Sequence, residues 1–267
     1  MSLINPKLIL CEYRAGEPSS QEERVVHGIA MLRDIAIKHV PQAHLLQYQE
    51  ALQSGEALPL GSVSFIRNAM RCCGVSEPAN LSYPRVMQEY LHRAVVRRTA
   101  GSLSGRYFIK PCITKDFTGG VFDLGPSCRP TGEQRASHEA LPALSPDTQV
   151  WVSEVVHWLN EARYYVLDGR ILGMGFYGEY VDEAPKPHAS IVEEMVLRLY
   201  EDPGMPRAFA LDVGVLSTGE TALVECNDAW AIGYYKGTLS AEAYLAFLFT
   251  RWFDLTRACS TPHTANA

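Results

Sequence analysis

Asp212, Glu225 and Asn227 are the residues whose types and spacing best support joint chemistry. They lie in the stretch Phe209–Asp228, two apolar runs joined at Ser217-Thr218-Gly219-Glu220. That pattern predicts two antiparallel strands and a tight turn. With Thr218-Gly219 as a two-residue loop, counting outward from the turn sets Asp212 opposite Glu225. Cross-strand neighbours have β-carbons about 4.5–5.5 Å apart. Asn227, two residues beyond Glu225, shares its face. Two carboxylates and an amide oxygen then converge inside an apolar hairpin. Like charges facing each other are unfavourable unless something cationic lies between them. Hard oxygen ligands of this kind suit magnesium, which binds through one or two carboxylates plus substrate phosphates.

Cationic residues precede the hairpin. Lys110 ends the apolar run Arg106–Pro111, and Lys115 enters a segment bearing Gly119 and Gly120. A lysine on a buried strand must find an anion or reach water. Small residues let backbone N–H groups approach an anion closely. Two such lysines and a glycine-bearing loop suit a polyphosphate; two surface lysines flanking a turn are the alternative. No GxxxxGK[ST] loop is present. Glu154 lies in Val152-Ser-Glu-Val-Val156. A ribose hydroxyl would satisfy a buried glutamate there, and solvent would satisfy an edge one. Arg163 follows Glu161 by two residues and either clamps a transferring phosphoryl group or forms a surface pair with that glutamate. His92, Arg93, Arg97 and Arg98 read as the solvated face of a helix.

The elements that must position these groups fall into two parts. Leu8–Cys11 is expected to be a strand. Gln21–His39 is expected to be a helix capped by Ser20. Short strands are expected at 43–48 and 62–66, and a second long helix at Pro84–Thr99. Together these make a small α/β unit over 1–100. An antiparallel-rich unit over 101–257 follows, giving an α+β / α/β chain. It holds strands at 106–111 and 150–156, and a hairpin across 162–177 turning at Asp168-Gly169. A helix at 191–200, the acidic hairpin and a last helix capped by Ser240 complete it. Gly125–Pro146 reads as an exposed loop, and 258–267 as a disordered tail.

The whole chain of 267 residues is ordinary in composition, 47% hydrophobic and 20% charged. A net charge of −6 argues against a general nucleic-acid binder. Seven cysteines without metal-like spacing suggest reduced thiols and a cytoplasmic setting. No basic segment leads into a long apolar run at the start, and no stretch is apolar enough to span a bilayer, so neither a signal peptide nor a membrane partner is expected. Nothing in the sequence specifies an oligomeric state.

Taken in order, Phe108-Ile-Lys-Pro111, Lys115–Gly120, Ser153–Val156, Glu161-Ala-Arg163, Ala210-Leu-Asp212 and Val224–Asn227 resemble the ATP-grasp superfamily. The match is closest to the clade named for one arginine and two lysines, which Arg163, Lys110 and Lys115 would supply. It spans roughly Arg106–Lys236, and the preceding unit fits the family's usual N-terminal domain. The resemblance implies an ATP-grasp fold with antiparallel sheet-plus-helix subdomains that clamp a nucleotide. It implies that Lys110, Lys115, Gly119 and Gly120 contact ATP phosphates, and that the segment from Glu154 to Val156 takes adenine and ribose. Asp212, Glu225 and Asn227 would hold one or two Mg2+ ions, and Arg163 would face the γ-phosphate.

The implied activity is an ATP-dependent, ADP-forming ligase that joins a carboxylate to an amine, on an amino acid or peptide. A kinase on the same scaffold and a non-catalytic nucleotide-binding protein are the alternatives. Lys236, in the aromatic segment Asp228–Lys236, and Arg67 are candidate substrate contacts. For that segment, packing under the last helix is the competing role.

Overall fold

The computed structural model describes residues 5–113, 117–125, 141, 144–177 and 184–260. Three sheets organise them. The first is parallel, ordered β2-β1-β3, from β1 (Leu8–Glu12), β2 (Ala36–Val40) and β3 (Ala57–Leu60). Helix α1 (Gln21–Leu32) connects β1 to β2. Ser20 accepts from the Glu23 N–H, and the Glu23 carboxylate accepts from the Ser20 N–H, a reciprocal cap.

Several expected elements take other forms. The helix expected to reach His39 stops at Leu32, Asp34 adopts φ 53°, and Ile35–His39 leads into and joins β2. The strand expected at 43–48 is a 3-10 helix, Gln42–Tyr48, followed by α2 (Gln49–Gln53). The strand expected at 62–66 is α3 (Val63–Cys72), capped by the Ser62 hydroxyl. A short apolar run fits either state, and here the Ser62 cap favours helix. The helix expected over Pro84–Thr99 is a 3-10 turn, Arg85–Tyr90, and then strand β4 (Val95–Thr99).

The second sheet is antiparallel, ordered β4-β7-β5-β6, with β5 (Arg106–Pro111), β6 (Gly120–Asp123) and β7 (Gln149–Ser153). The boundary expected after residue 100 therefore falls inside this sheet, between β4 and its partners. The expected loop at Gly125–Pro146 and the tail from residue 261 lie largely or wholly outside the described residues.

The third sheet is ordered β11-β10-β8-β9, from β8 (Trp158–Leu167), β9 (Arg170–Phe176), β10 (Ala208–Leu216) and β11 (Thr221–Asp228). Asp168 and Gly169 close the β8–β9 turn with φ of 50° and 70°, the left-handed pair that matches strand twist. Alternate residues of this sheet serve two cores. Tyr164, Val166, Phe209 and Leu211 pack against α4 (Ala189–Tyr200). Tyr165, Leu167, Ala208 and Ala210 pack toward α5 (Ala241–Ser260) and the first sheet. The backbone of α5 extends through Ser260, three residues into the expected tail. Among the described residues no helix is long and apolar enough to cross a membrane.

Candidate active site

Asp212 lies on the α5-facing side of β10, two residues beyond Ala210. It pairs with Arg163 on β8 and Glu225 on β11. The expected Asp212–Glu225 pairing is present, but the turn that produces it differs. Leu216 and Glu220 close a three-residue loop, with the Gly219 N–H donating to Leu216 O and Gly219 at φ 99°. Val213 pairs with Leu223 while Asp212 pairs with Glu225, so Val224 is an extra residue. This bulge offsets the longer loop. It also re-aims the strand: Leu223 and Cys226 point into the α4 core, whereas Glu225 and Asn227 turn to the opposite side. In a regular strand Leu223 and Glu225 would share a face.

The three oxygen-bearing side chains meet. Asn227 Nδ2 donates to Asp212 Oδ2 at 2.9 Å and to Glu225 Oε1 at 3.0 Å. Arg163 Nε and Nη2 donate to the two Asp212 oxygens, each at 2.7 Å. Arg163 thus pairs with Asp212 rather than with Glu161, and is buried. Its guanidinium stacks on Tyr235, 4.6 Å from the ring centre. Lys110 comes from the second sheet and pairs with Glu225. Burial works against the Lys110 ammonium, but Glu225 and Tyr83 outweigh it and hold the lysine above its ordinary pKa. Burial likewise opposes ionisation of Glu225, yet Lys110 and Asn227 hold that carboxyl below its usual value. The like charges of Asp212 and Glu225 are therefore each compensated by a cation.

Lys110, Arg163, Glu225 and Asn227 border a cavity of about 680 Å³ between the second and third sheets, and Asp212 is buried behind its wall. That volume lies within the ordinary range for small-molecule sites. Phe108, Lys110 and Gly119 line one side, and Glu161, Arg163, Glu225 and Asn227 the other. The segment Ser153–Val156 also lines it. Strand β7 ends at Ser153, so Glu154 is exposed rather than buried; its carboxylate accepts from the Ala94 N–H at 2.9 Å. A β-carbon on Gly119 would come within 2.9 Å of Lys110 Cβ, so glycine here lets the backbone cross the lysine. Gly120 opens β6 opposite Ile109 and is not among the lining residues. Lys115 lies outside the described residues.

Two candidates stand apart from the cavity. Lys236 is exposed and absent from its lining. Arg67 is on α3, not at a strand end, and pairs bidentately with Glu77. Two other residues belong to the site. Glu161 lines the cavity, and burial, then Asp212 and Glu225, push its carboxyl up to about 7. Arg93 also lines it, in a non-helical stretch where His92 has φ 49°. Arg97 and Arg98, expected on the same helical face, are instead exposed on β4.

The donor set of Asp212, Glu225 and Asn227 fits magnesium. Glu225 and Asn227 line the cavity, Asp212 lies buried behind its wall, and Asn227 Nδ2 donates to both carboxylates. No group of three His, Cys, Asp or Glu able to hold a metal occurs among the described residues. Two carboxylates and an amide leave positions for phosphate oxygens and water, as magnesium prefers.

Comparison with known proteins identifies the family and the fold. Residues 90–247 match the model of an ATP-grasp domain, family 2 of the clade named for one arginine and two lysines. The match covers more than half the chain, and the chain belongs to that ATP-grasp family. No curated protein matches the sequence. Among solved structures, the D-cycloserine synthetase DcsG is similar, with a TM-score of 0.54 at 9% identity, covering 93% of this chain and 99% of that one. A RimK-domain ATP-grasp protein from Sphaerobacter thermophilus gives a TM-score of 0.47 at 11% identity, covering 92% and 98%. The D-alanine–D-alanine ligase from Bacillus anthracis gives 0.43 at 13% identity, covering 94% and 97%. At such identities the likeness to DcsG concerns the fold alone.

Proposed function

We propose that this ATP-grasp protein is a magnesium-dependent, ADP-forming ligase that joins a carboxylate to an amine, on an amino acid or peptide. The observation that carries the reading is the convergence of Lys110 and Glu225, from different sheets, with Arg163 and Asn227 at one cavity, Asp212 lying buried behind them. Phosphoryl transfer asks a protein chiefly for positioning and charge neutralisation.

In this reading the substrate carboxylate attacks the γ-phosphorus of ATP and ADP leaves. The amine then attacks the acyl carbon, phosphate departs, and an amide remains. Lys110 contacts the phosphates, and Lys115 joins it. Gly119 and Gly120 bring the backbone of their loop toward them. Val156 and the segment beginning at Glu154 border the base and ribose. Asp212, Glu225 and Asn227 would hold Mg2+, which would offset phosphate charge when bound. Burial raises the Asp212 carboxyl, Arg163 opposes that shift and orients the carboxylate, and Arg163 would face the γ-phosphate. Lys236 and Arg67, away from the cavity, would act only on a substrate large enough to extend beyond it.

The test is ADP release by the full chain with ATP, MgCl2 and a panel of amino acids and short peptides. Acceptor-dependent ADP and free phosphate, with a product that lacks phosphorus, support a ligase. Phosphate retained on the acceptor would point to a kinase, and binding without turnover across the panel would overturn the catalytic reading.

A further inference from the structure

We infer that Arg93 is a positioning residue whose guanidinium holds the Val224 bulge, and so sets Glu225 and Asn227 against Asp212. Arg93 Nη1 donates to Leu223 O at 2.7 Å and Nη2 to Val224 O at 3.1 Å. Consecutive carbonyls of a regular strand point to opposite edges, so one guanidinium reaches both only where a bulge turns them together. The same side chain is anchored in the second sheet. Its Nε donates to Ser153 Oγ at 3.2 Å, and Nη1 also donates to Leu91 O at 2.9 Å. The guanidinium lies over the Trp158 ring, 5.1 Å from its centre.

Four donated bonds and a stacked face use the planar fork of arginine, which a lysine ammonium cannot reproduce. Strand β11 is the edge of its sheet, and the isolated Ser82–Cys226 bridge on that edge holds Cys226 N–H rather than the carbonyls of Leu223 and Val224. Without the bulge, Leu223 and Glu225 would share a face. Either the leucine would enter the cavity or the glutamate would enter the α4 core. The catalytic consequence rests on the ligase reading; the structural role does not.

The test uses the full-length Arg93→Lys variant in two measurements. The first is amide hydrogen exchange over residues 221–228, with residues 8–12 as an internal reference. Exchange over 221–228 should rise on the order of tenfold, while the reference stays at its wild-type rate. The second is ATP affinity with and without MgCl2. The magnesium-dependent gain should fall about 10–100-fold, the usual effect of losing support behind a metal ligand.

Unchanged exchange over 221–228 would overturn the proposal. So would faster exchange with a wild-type magnesium effect. If wild-type ATP binding ignores magnesium, the metal assignment fails, and the exchange arm alone still decides the role of Arg93. Should Arg93→Lys not fold, Ser153→Ala frees the Nε end and is expected to raise exchange over the same segment.

Discussion

Arg163 and Asp212 face each other across adjacent strands and form two 2.7 Å hydrogen bonds, with side-chain exposures of only 6% and 2%. Breaking such a pair from one side leaves an uncompensated buried charge, at a cost of about 3–5 kcal/mol. Arg163→Met should therefore destabilise the fold by that order in chemical denaturation. Removing both charges in Arg163→Met with Asp212→Leu should recover most of the loss, although ATP turnover should remain abolished. Additive losses in the double variant would show that the two residues act independently.

Lys110 carries a second, partly exposed pair with Glu225. Lys110→Gln should lower ADP formation on the order of 100-fold, the typical effect of removing one preorganised donor from a charge-developing site. Steady-state kinetics with saturating acceptor measure this. Turnover close to that of wild type would remove Lys110 from the phosphate-binding set.

Glu161 supplies a pH signature. Its carboxyl, ordinarily near 4.5, is pushed to about 7 by burial and by Asp212 and Glu225. The folded state therefore holds its proton more tightly than the unfolded state. Between about pH 4.5 and 7 the folded protein binds more protons, so stability falls as pH rises through this window. The penalty is complete above the folded value and absent below the unfolded one. In nucleotide-free protein, Glu161→Gln should raise stability at about pH 8 by on the order of 2 kcal/mol, after allowance for partial exposure, and change little at about pH 4.5. Denaturant titrations at the two pH values provide the check. An equal effect at both would show that the charge is not the cause.

Gly175 faces Gly237 in an isolated bridge that ties β9 to the aromatic segment following the proposed metal ligands. A β-carbon on Gly175 would lie 2.5 Å from the Tyr235 carbonyl oxygen, a backbone atom. Gly175→Ala should cost about 1–3 kcal/mol through overpacking. It should also shift Tyr235, and with it the face on which Arg163 stacks, so ATP affinity should fall as well. A thermal midpoint equal to wild type would contradict this.

The hairpins are the legible part of this chain. Apolar runs and the Asp168-Gly169 and Gly219 turns announce them, and Asp212 does face Glu225. The route differs, because a bulge leaves no mark in an apolar run: Val224 reads like any other strand residue. Short segments such as Ser62–Ile66 mislead because a brief apolar-rich run fits helix and strand alike, although the Ser62 cap is visible in the sequence. The run Pro84–Thr99 has good helix formers, yet its second half is a strand fixed by pairing with β7. Arg93 is illegible in principle. Its partners include backbone carbonyls 130 and 131 residues away, and carbonyls carry no side-chain identity.

The bulge at Val224 gives the cleft a mechanical character. Arg93 grips the second sheet through Ser153 and the third through the two turned carbonyls, so the angle between the sheets and the spacing of the acidic ligands are not separate degrees of freedom. A hinge motion that widened the cleft would have to release one of those grips or draw Glu225 away from Asp212. While both grips hold, opening the cleft and separating the proposed metal ligands are a single event.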